Sequence, residues 1–174
     1  MSKYPNFKEI RDKNLAESNS EFNVHDGLKH LSVHELQEVS KSDRLPWHTL
    51  ALNVTGDLNI GTMIRTSHCL GATSFIIIGR TKIDNRGLVG SSNYIKIEKI
   101  PSMQENLMPD PNVIYDVLKS RNLTPVFCES NGVELSTIDW KVNLWSMSRE
   151  NTVPCLIMGN ETGGIPPSIL AGGS

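Results

Sequence analysis

Two short stretches hold residues whose types and order could do chemistry. In Asn59-Ile-Gly-Thr-Met-Ile-Arg-Thr-Ser-His-Cys-Leu-Gly71, an amide, a glycine and a guanidinium lie along a candidate helix. Its apolar positions, Ile60, Met63, Ile64 and Leu70, would pack it on a sheet. Asn59 stands at the helix start, where a side-chain amide caps free backbone groups or faces a ligand. Arg65 lies about two turns in, and its forked donors match phosphate oxygens; a surface salt bridge is the alternative use of an arginine there. In Met158-Gly-Asn-Glu-Thr-Gly-Gly-Ile-Pro-Pro-Ser168, three glycines follow an apolar run closely enough to let the backbone approach a ligand. No Gly-Lys-Ser/Thr follows and the order is not G-x-G-x-x-G, so a triphosphate site is not expected. Asn160 and Glu161, polar groups at a strand end, favour a site over a plain glycine turn.

The elements that must position these stretches read as alternating strands and helices. His48–Val54 is a short apolar run, consistent with a buried parallel strand, and Thr55–Asn59 is a loop. Ile60–Leu70 is the helix, with Gly71 as a left-handed cap, and Thr73–Gly79 is the next strand. Strand, loop, helix and strand in about thirty residues predict a βαβ unit and a parallel sheet. A polar connection, Arg80–Ser92, leads to an alternating strand, Tyr94–Ile100. Pro101–Pro111 is read as loop, Val113–Arg121 as helix, Thr124–Cys128 as strand, and Thr152–Met158 as the last strand, running into the glycine segment. Trp140 and Trp145 flank a stretch read as irregular. The expected class is α/β, a mainly parallel sheet flanked by helices, with ligands at the carboxyl ends of its strands.

Length and composition bound the reading. The 174 residues suffice for one domain; at this size roughly 70% of the unfolded surface is buried on folding. We divide the chain into a polar N-terminal extension with short helices, residues 1–46, and a domain, residues 47–174. In the extension, Ser32 and Glu35 form a capping box ahead of the apolar Leu36 and Val39. With 38% hydrophobic and 21% charged residues the chain is neither disordered nor fibrous. A net charge of −2 excludes a generally basic nucleic-acid coat, so any nucleic acid would need a local patch. Three scattered cysteines, Cys69, Cys128 and Cys155, predict reduced and mostly buried thiols, with Cys69 and Cys155 in the core. No signal core or apolar span of about 20 residues occurs, so the expectation is a soluble, cytoplasmic protein without a membrane.

The first stretch resembles motif 1 of the SpoU-type (TrmH-like) branch of the SPOUT RNA methyltransferases, roughly N-x-G-x-x-x-R-[TS]-x-x-x-x-G, at Asn59, Gly61, Arg65, Thr66 and Gly71. The second resembles its motif 2, roughly G-N-E-x-x-G-[IL], at Gly159, Asn160, Glu161, Gly164 and Ile165. Between them, Gly79–Gly90 with Tyr94 is similar to the family's segment after the second strand, and the likeness covers about residues 47 to 170.

The resemblance implies a parallel α/β fold with a C-terminal knot, a homodimer, and S-adenosyl-L-methionine as methyl donor to a ribose 2′-hydroxyl of tRNA or rRNA. It implies Arg65 as the catalytic arginine with Asn59 and Glu161 as partners. Glu129, Met158, Gly159, Asn160, Gly164 and Ile165 would border the cofactor, Glu129 by strand order alone. The family's third motif, an apolar stretch then S-[LM]-N, would begin where these residues stop, after Leu170-Ala-Gly-Gly-Ser174. The expectation is therefore a fragment with the knot segment missing and no useful activity of its own. The alternative is a short, non-catalytic RNA-binding or dimerisation module of the same fold.

An arginine with a pKa above about 12 is a poor general base, so the preferred role for Arg65 is to hold a phosphate and stabilise the developing alkoxide; abstraction of the proton is the alternative. Arg65, Arg80, Lys82 and Arg86, with Lys96 and Lys99, are candidates for a phosphate-tracking patch, as are Lys3, Lys8, Arg11 and Lys13 for a substrate arm. His30 and His34 are four apart, a metal spacing, but no third ligand accompanies them and no metal is expected. His68 is read as a surface or capping residue.

Overall fold

The apolar runs of the sequence become the centre of a five-stranded sheet. The computed structural model describes residues 24–52, 54–79, 82–101 and 109–172. Leu45–Leu52 (β1) and Ala72–Ile78 (β2) are parallel neighbours, with Leu50 opposite Ile76. Lys96–Ile100 (β3) extends the sheet beyond β2. Leu123–Cys128 (β4) and Val153–Met158 (β5) lie on the other side of β1, with β5 adjacent to it. Every pairing is parallel and the order is β3-β2-β1-β5-β4. The chain leaves β1 towards β2 and returns as β5 on the opposite side, so the carboxyl ends of β1 and β5 frame the crevice where such sheets bind ligands.

Alternation along the strands sends successive side chains to opposite faces. Ala51, Phe75 and Ile77 meet Ile60 and Ile64 of the helix Asp57–Cys69 on one face. Leu50, Leu52, Ile76 and Ile78 meet Ile114, Val117 and Leu118 on the other. In chain order the helices are Val33–Ser40 (α1), Asp57–Cys69 (α2), Asn85–Leu88 (α3), Pro111–Ser120 (α4), Trp140–Arg149 (α5) and Pro167–Ala171 (α6). Leu50, Phe75, Ile76, Ile77 and Ile78 are all fully buried; such side chains contribute about 1.5–3 kcal/mol each. Among the described residues no helix is long and apolar enough to cross a membrane.

The structure departs from the sequence reading in definite places. β1 starts at Leu45 and runs through Pro46, which falls where the register to β2 shifts, so its missing N–H costs the ladder little. α2 starts at Asp57, and its N-cap is Gly56, with no side-chain cap of its own. The stretch between Trp140 and Trp145 is part of a helix, α5, whose N-cap Asp139 accepts from Lys141 and Val142. Val142 and Leu144 stay exposed there, so no one-sided apolar pattern announced that helix. The connection after β2 holds the short helix α3, opened by Asp84, whose carboxylate accepts from the Arg86 amide.

The Ser32–Glu35 capping box is present in both directions, and Leu36 is buried behind it while Val39 is half exposed. The described part of the N-terminal region is tied to the sheet domain: Gln37 Nε2 donates to the Ile95 carbonyl, and the His25 amide donates to the Tyr94 hydroxyl. Of the cysteines only Cys155 is buried, and its apolar surroundings push the thiol up to about 12. Cys69 closes α2 on its exposed side and Cys128 ends the edge strand β4, so burial of most thiols does not hold. Lys3, Lys8, Arg11, Lys13 and Arg80 lie outside the described residues.

Candidate functional site

The two glycine-bearing stretches, about a hundred positions apart, meet through one carboxylate. Glu161 Oε1 accepts from the Gly56 amide at 3.0 Å and from Asn59 Nδ2 at 2.9 Å. Its Oε2 accepts from the Thr55 amide and the Thr55 hydroxyl, both at 2.9 Å. Glu161 thus supplies from the far stretch the cap that α2 lacks, at the end where a helix favours negative charge. Asn59, in the first turn of α2, gives its amide to Glu161 and does not cap the helix. Thr55, which sequence reasoning passed over as loop, contributes two of the four bonds; its place just ahead of the motif was the only signal.

Desolvation raises the Glu161 pKa, but hydrogen bonds from Asn59, Thr55, its own backbone and Gly56 outweigh it and bring the group from 4.5 to about 2. A carboxylate whose pKa falls on folding stabilises above its unfolded value, and that contribution is lost as pH drops through the folded one. Glu161→Gln is therefore expected to cost about 1–2 kcal/mol at neutral pH, after discounting for solvent screening. It should also flatten the stability profile between pH 4.5 and pH 2. Chemical denaturation across pH tests this, and a variant with the wild-type acid profile would refute the capping role.

The loop that carries Glu161 is held from its other end too. Asn160 and Gly164 exchange backbone hydrogen bonds at 3.0 and 2.9 Å, closing a tight turn. The Asn160 side-chain carbonyl accepts from the amides of Thr162 and Gly163. At the end of β4, Glu129 Oε1 accepts from the Ile165 amide. A Cβ on Gly159 would stand 2.2 Å from the Gly164 carbonyl carbon, so only glycine lets the turn fold back on itself.

Two cavities share this turn. One, of 510 Å³, lies at the carboxyl ends of β4 and β5 between Cys128–Ser130 and the 158–164 loop. The other, of 450 Å³, lies between α2 and the sheet and is walled by apolar groups such as Trp47, Met63 and Leu156. Met158, Gly159 and Glu161 line both, and Asn59 lines the second. The structure therefore brings together Asn59, Glu129, Met158, Gly159, Asn160, Glu161, Gly164 and Ile165.

Arg65 is on the same helix but does not line either cavity. It is exposed, and no hydrogen bond or ion pair holds it among the described residues. It lies one turn beyond Gly61, where α2 touches α3: a Cβ on Gly61 would come 2.7 Å from the Asp84 carbonyl oxygen and 3.0 Å from Gly87 Cα. The motif glycine is thus explained by close backbone approach. Lys82 and Arg86 lie along the same contact, bound to Asp57 at 2.9 Å and to Asp84 at 2.5 Å. Both lysine and arginine heads are largely exposed, so these pairs leave donors to solvent. Lys99 is exposed on β3, while Lys96 faces Glu98 at 3.3 Å. His68 is half buried, its ring stacked on Tyr94 at 5.3 Å and its Nδ1 3.0 Å from Arg44. Among the described residues no group of three metal-ligating side chains is assembled.

The SpoU rRNA Methylase family model matches residues 48–172. The chain belongs to that family. SpoU-family structures share its fold at low identity. AviRb from Streptomyces viridochromogenes, a SpoU methyltransferase in complex with the cofactor AdoMet, has a TM-score of 0.53 at 21% identity over 74% of this chain. The A. aeolicus TrmH/SpoU tRNA modifying enzyme has a TM-score of 0.54 at 20% identity over 80%. An AdoMet-bound rRNA methyltransferase from Sinorhizobium meliloti has a TM-score of 0.53 at 21% identity over 78%. The matched region spans 45%, 64% and 47% of those chains. No curated protein matches the sequence. The expected parallel α/β architecture of SPOUT methyltransferases is the one found.

Proposed function

We propose that this SpoU-family chain is the core of an enzyme that transfers a methyl group from S-adenosyl-L-methionine to a ribose 2′-hydroxyl of tRNA or rRNA. The observation that carries the reading is the four-bond grip of Glu161 on Thr55, Gly56 and Asn59, which joins the two family motifs into one site. The cofactor would take the larger cavity of the pair: its lining is mostly polar and includes Gly159, Gly163 and Gly164, and the position of a Cβ on Gly163 has nothing within 4 Å. When bound, S-adenosyl-L-methionine supplies a methyl group on a positively charged sulfur. Glu129, Met158, Gly159, Asn160, Gly164 and Ile165 are the residues that would hold it, with Glu129 fixing the loop through the Ile165 amide.

A ribose hydroxyl is a weak nucleophile, so the site must align its oxygen with the methyl group. Glu161 is a positioning residue in this reading: its oxygens are fully engaged and its pKa of about 2 is too low for a base near neutrality. Asn59 relays that grip into the first turn of α2. The location of Arg65 on the α2–α3 flank, outside both cavity walls, supports a contact to a phosphate next to the reacting ribose. Lys82 and Arg86 extend the same track, and Arg80 belongs to it by sequence. A homodimer working in the cytoplasm completes the reading.

Calorimetry with S-adenosyl-L-methionine and its demethylated product, on the full-length protein, is expected to detect both ligands. Labelled methyl groups should then appear in RNA as 2′-O-methylnucleosides. Base-methylated nucleosides would refute the ribose assignment, and RNA binding without cofactor binding would leave a non-catalytic module.

A further inference from the structure

The α4-covered face of the sheet is apolar towards the carboxyl ends of its strands and polar towards their amino ends. Leu52, Ile78 and Ile100 form a cross-strand row, whereas His48, Ser74 and Lys96 form the row four residues earlier on the same face. His48 Nδ1 and Ser74 Oγ are 2.8 Å apart. This polar floor opens into a cavity of 520 Å³ closed by α1 and by Arg121 at the end of α4. The cavity lies at the opposite end of the strands from the Gly159 turn.

Four fixed cations, Lys41, Arg44, Lys96 and Arg121, line it against two carboxylates, Glu38 and Glu98. That is a local excess of two positive charges in a chain whose net charge is −2. Glu98, itself one-fifth exposed, orients Arg121 at 2.6 Å and meets Lys96 at 3.3 Å. Arg121 also donates to the Val117 carbonyl at 3.4 Å, which leaves part of its donor fork directed elsewhere. Glu38 pairs with Lys41 at 2.6 Å. Arg44 has no carboxylate within ion-pair distance among the described residues; it donates to the His68 carbonyl at 3.2 Å and faces the His68 ring. Burial lowers the pKa of that guanidinium and the neighbouring Asp43 offsets only part of it, a cost that an incoming anion would offset further.

We propose that this amino-end cavity is a second site, distinct from the methyl-transfer site, that binds a phosphate group of a nucleotide or of an RNA backbone through Arg44, Lys96 and Arg121. Forked guanidinium donors suit phosphate oxygens, and a cavity of this volume, rimmed by these charged side chains, holds more than a lone anion. The site stands on its own geometry and does not depend on S-adenosyl-L-methionine binding.

The test titrates inorganic phosphate, adenosine 5′-monophosphate and a short single-stranded RNA into the protein, following backbone amide shifts by NMR. Phosphate and the monophosphate are expected to shift the amides of Ser74, Lys96 and Arg121, and Arg121→Gln should weaken binding at least tenfold. Lys96→Gln, at an exposed and weakly paired residue, keeps the assay decisive if Arg121→Gln fails to fold; it should weaken binding about threefold. RNA that competes with phosphate, with a salt slope reduced by about one in Lys96→Gln, identifies the backbone as the source. Phosphate binding without competition by RNA identifies a free nucleotide or phosphate; both results support the site. No binding of any probe, or binding that neither variant weakens, overturns it. S-adenosyl-L-methionine affinity, measured alongside, is expected to be unchanged by either substitution, so failure here is distinguishable from failure of the methyl-transfer reading.

Discussion

Arg65→Ala is expected to lower methyl transfer by roughly 10²- to 10³-fold while leaving S-adenosyl-L-methionine affinity within about twofold. The split follows from placement. The residues around the Gly159 turn that would hold the cofactor do not include Arg65, which stands exposed on the α2–α3 flank one turn past Gly61. In the proposed mechanism its removal takes away a phosphate contact, and it leaves the helix intact because alanine is the best helix former. Single-turnover methylation by the full-length protein, with cofactor affinity by calorimetry, measures both halves. Arg65→Lys keeps the charge but loses the fork and should recover only part of the rate. Unchanged turnover in Arg65→Ala would remove the arginine from the mechanism. Equal loss of turnover and of cofactor affinity would move it into the cofactor site.

Gly159→Ala should be the most damaging small substitution in the loop, costing about 2–4 kcal/mol and lowering the melting temperature by roughly 5–15 °C. The added methyl would sit 2.2 Å from the Gly164 carbonyl carbon, 2.4 Å from its oxygen and 2.5 Å from the Ile165 nitrogen. All three are backbone atoms, so relief requires opening the Asn160–Gly164 bridge and displacing the Ile165 amide from Glu129. Gly163→Ala is the matched control: nothing lies within 4 Å of its Cβ position, and its effect on stability should stay within about 0.5 kcal/mol. Thermal unfolding of the two variants decides the matter. Similar melting temperatures would mean that the turn is loose enough to reshape, and that Gly159 serves a ligand and not the fold.

The pair also separates two meanings of a glycine motif. Gly61 and Gly159 fall in segments that resemble family motifs, and for both the structure supplies a steric reason internal to the chain: α2 against α3 in one case, the turn against itself in the other. Catalytic importance need not be invoked for either. Asn59 and Glu161 are explained similarly, as the two sides of a hydrogen bond that ties the amino end of α2 to the loop after β5.

Much of this was legible from residue order because it is local. Apolar runs of strand length, glycines after strands and a stripe at helical spacing specify a parallel α/β sheet through backbone geometry and burial. β2, α4 and β5 fall within a residue or two of their expected limits, and the capping box at Ser32 was readable from four consecutive residues. α5 was not, since its exposed Val142 and Leu144 lack the one-sided pattern that burial imprints on a sequence. The exposure of Cys69 was legible in the helical period: nine positions after the buried Ile60, it stands about half a turn round α2 from it, away from the sheet.

What the order of residues determined by itself was the sheet, the two motifs and the chemistry they permit. What tertiary structure alone decided was which groups meet. Glu161 reaches Asn59 across 102 positions, Glu129 reaches Ile165 from the neighbouring strand end, and Arg121 reaches Glu98 of β3 from the end of α4. Strand order decided the first two, because β5 lies beside β1 and β4 beside β5, and the packing of α4 on the sheet decided the third; no local propensity encodes the neighbour of a strand. The physical reason is that side-chain hydrogen bonds and ion pairs act over a few ångströms, whereas the pairing that brings their partners within that range is settled by burial of the whole sheet.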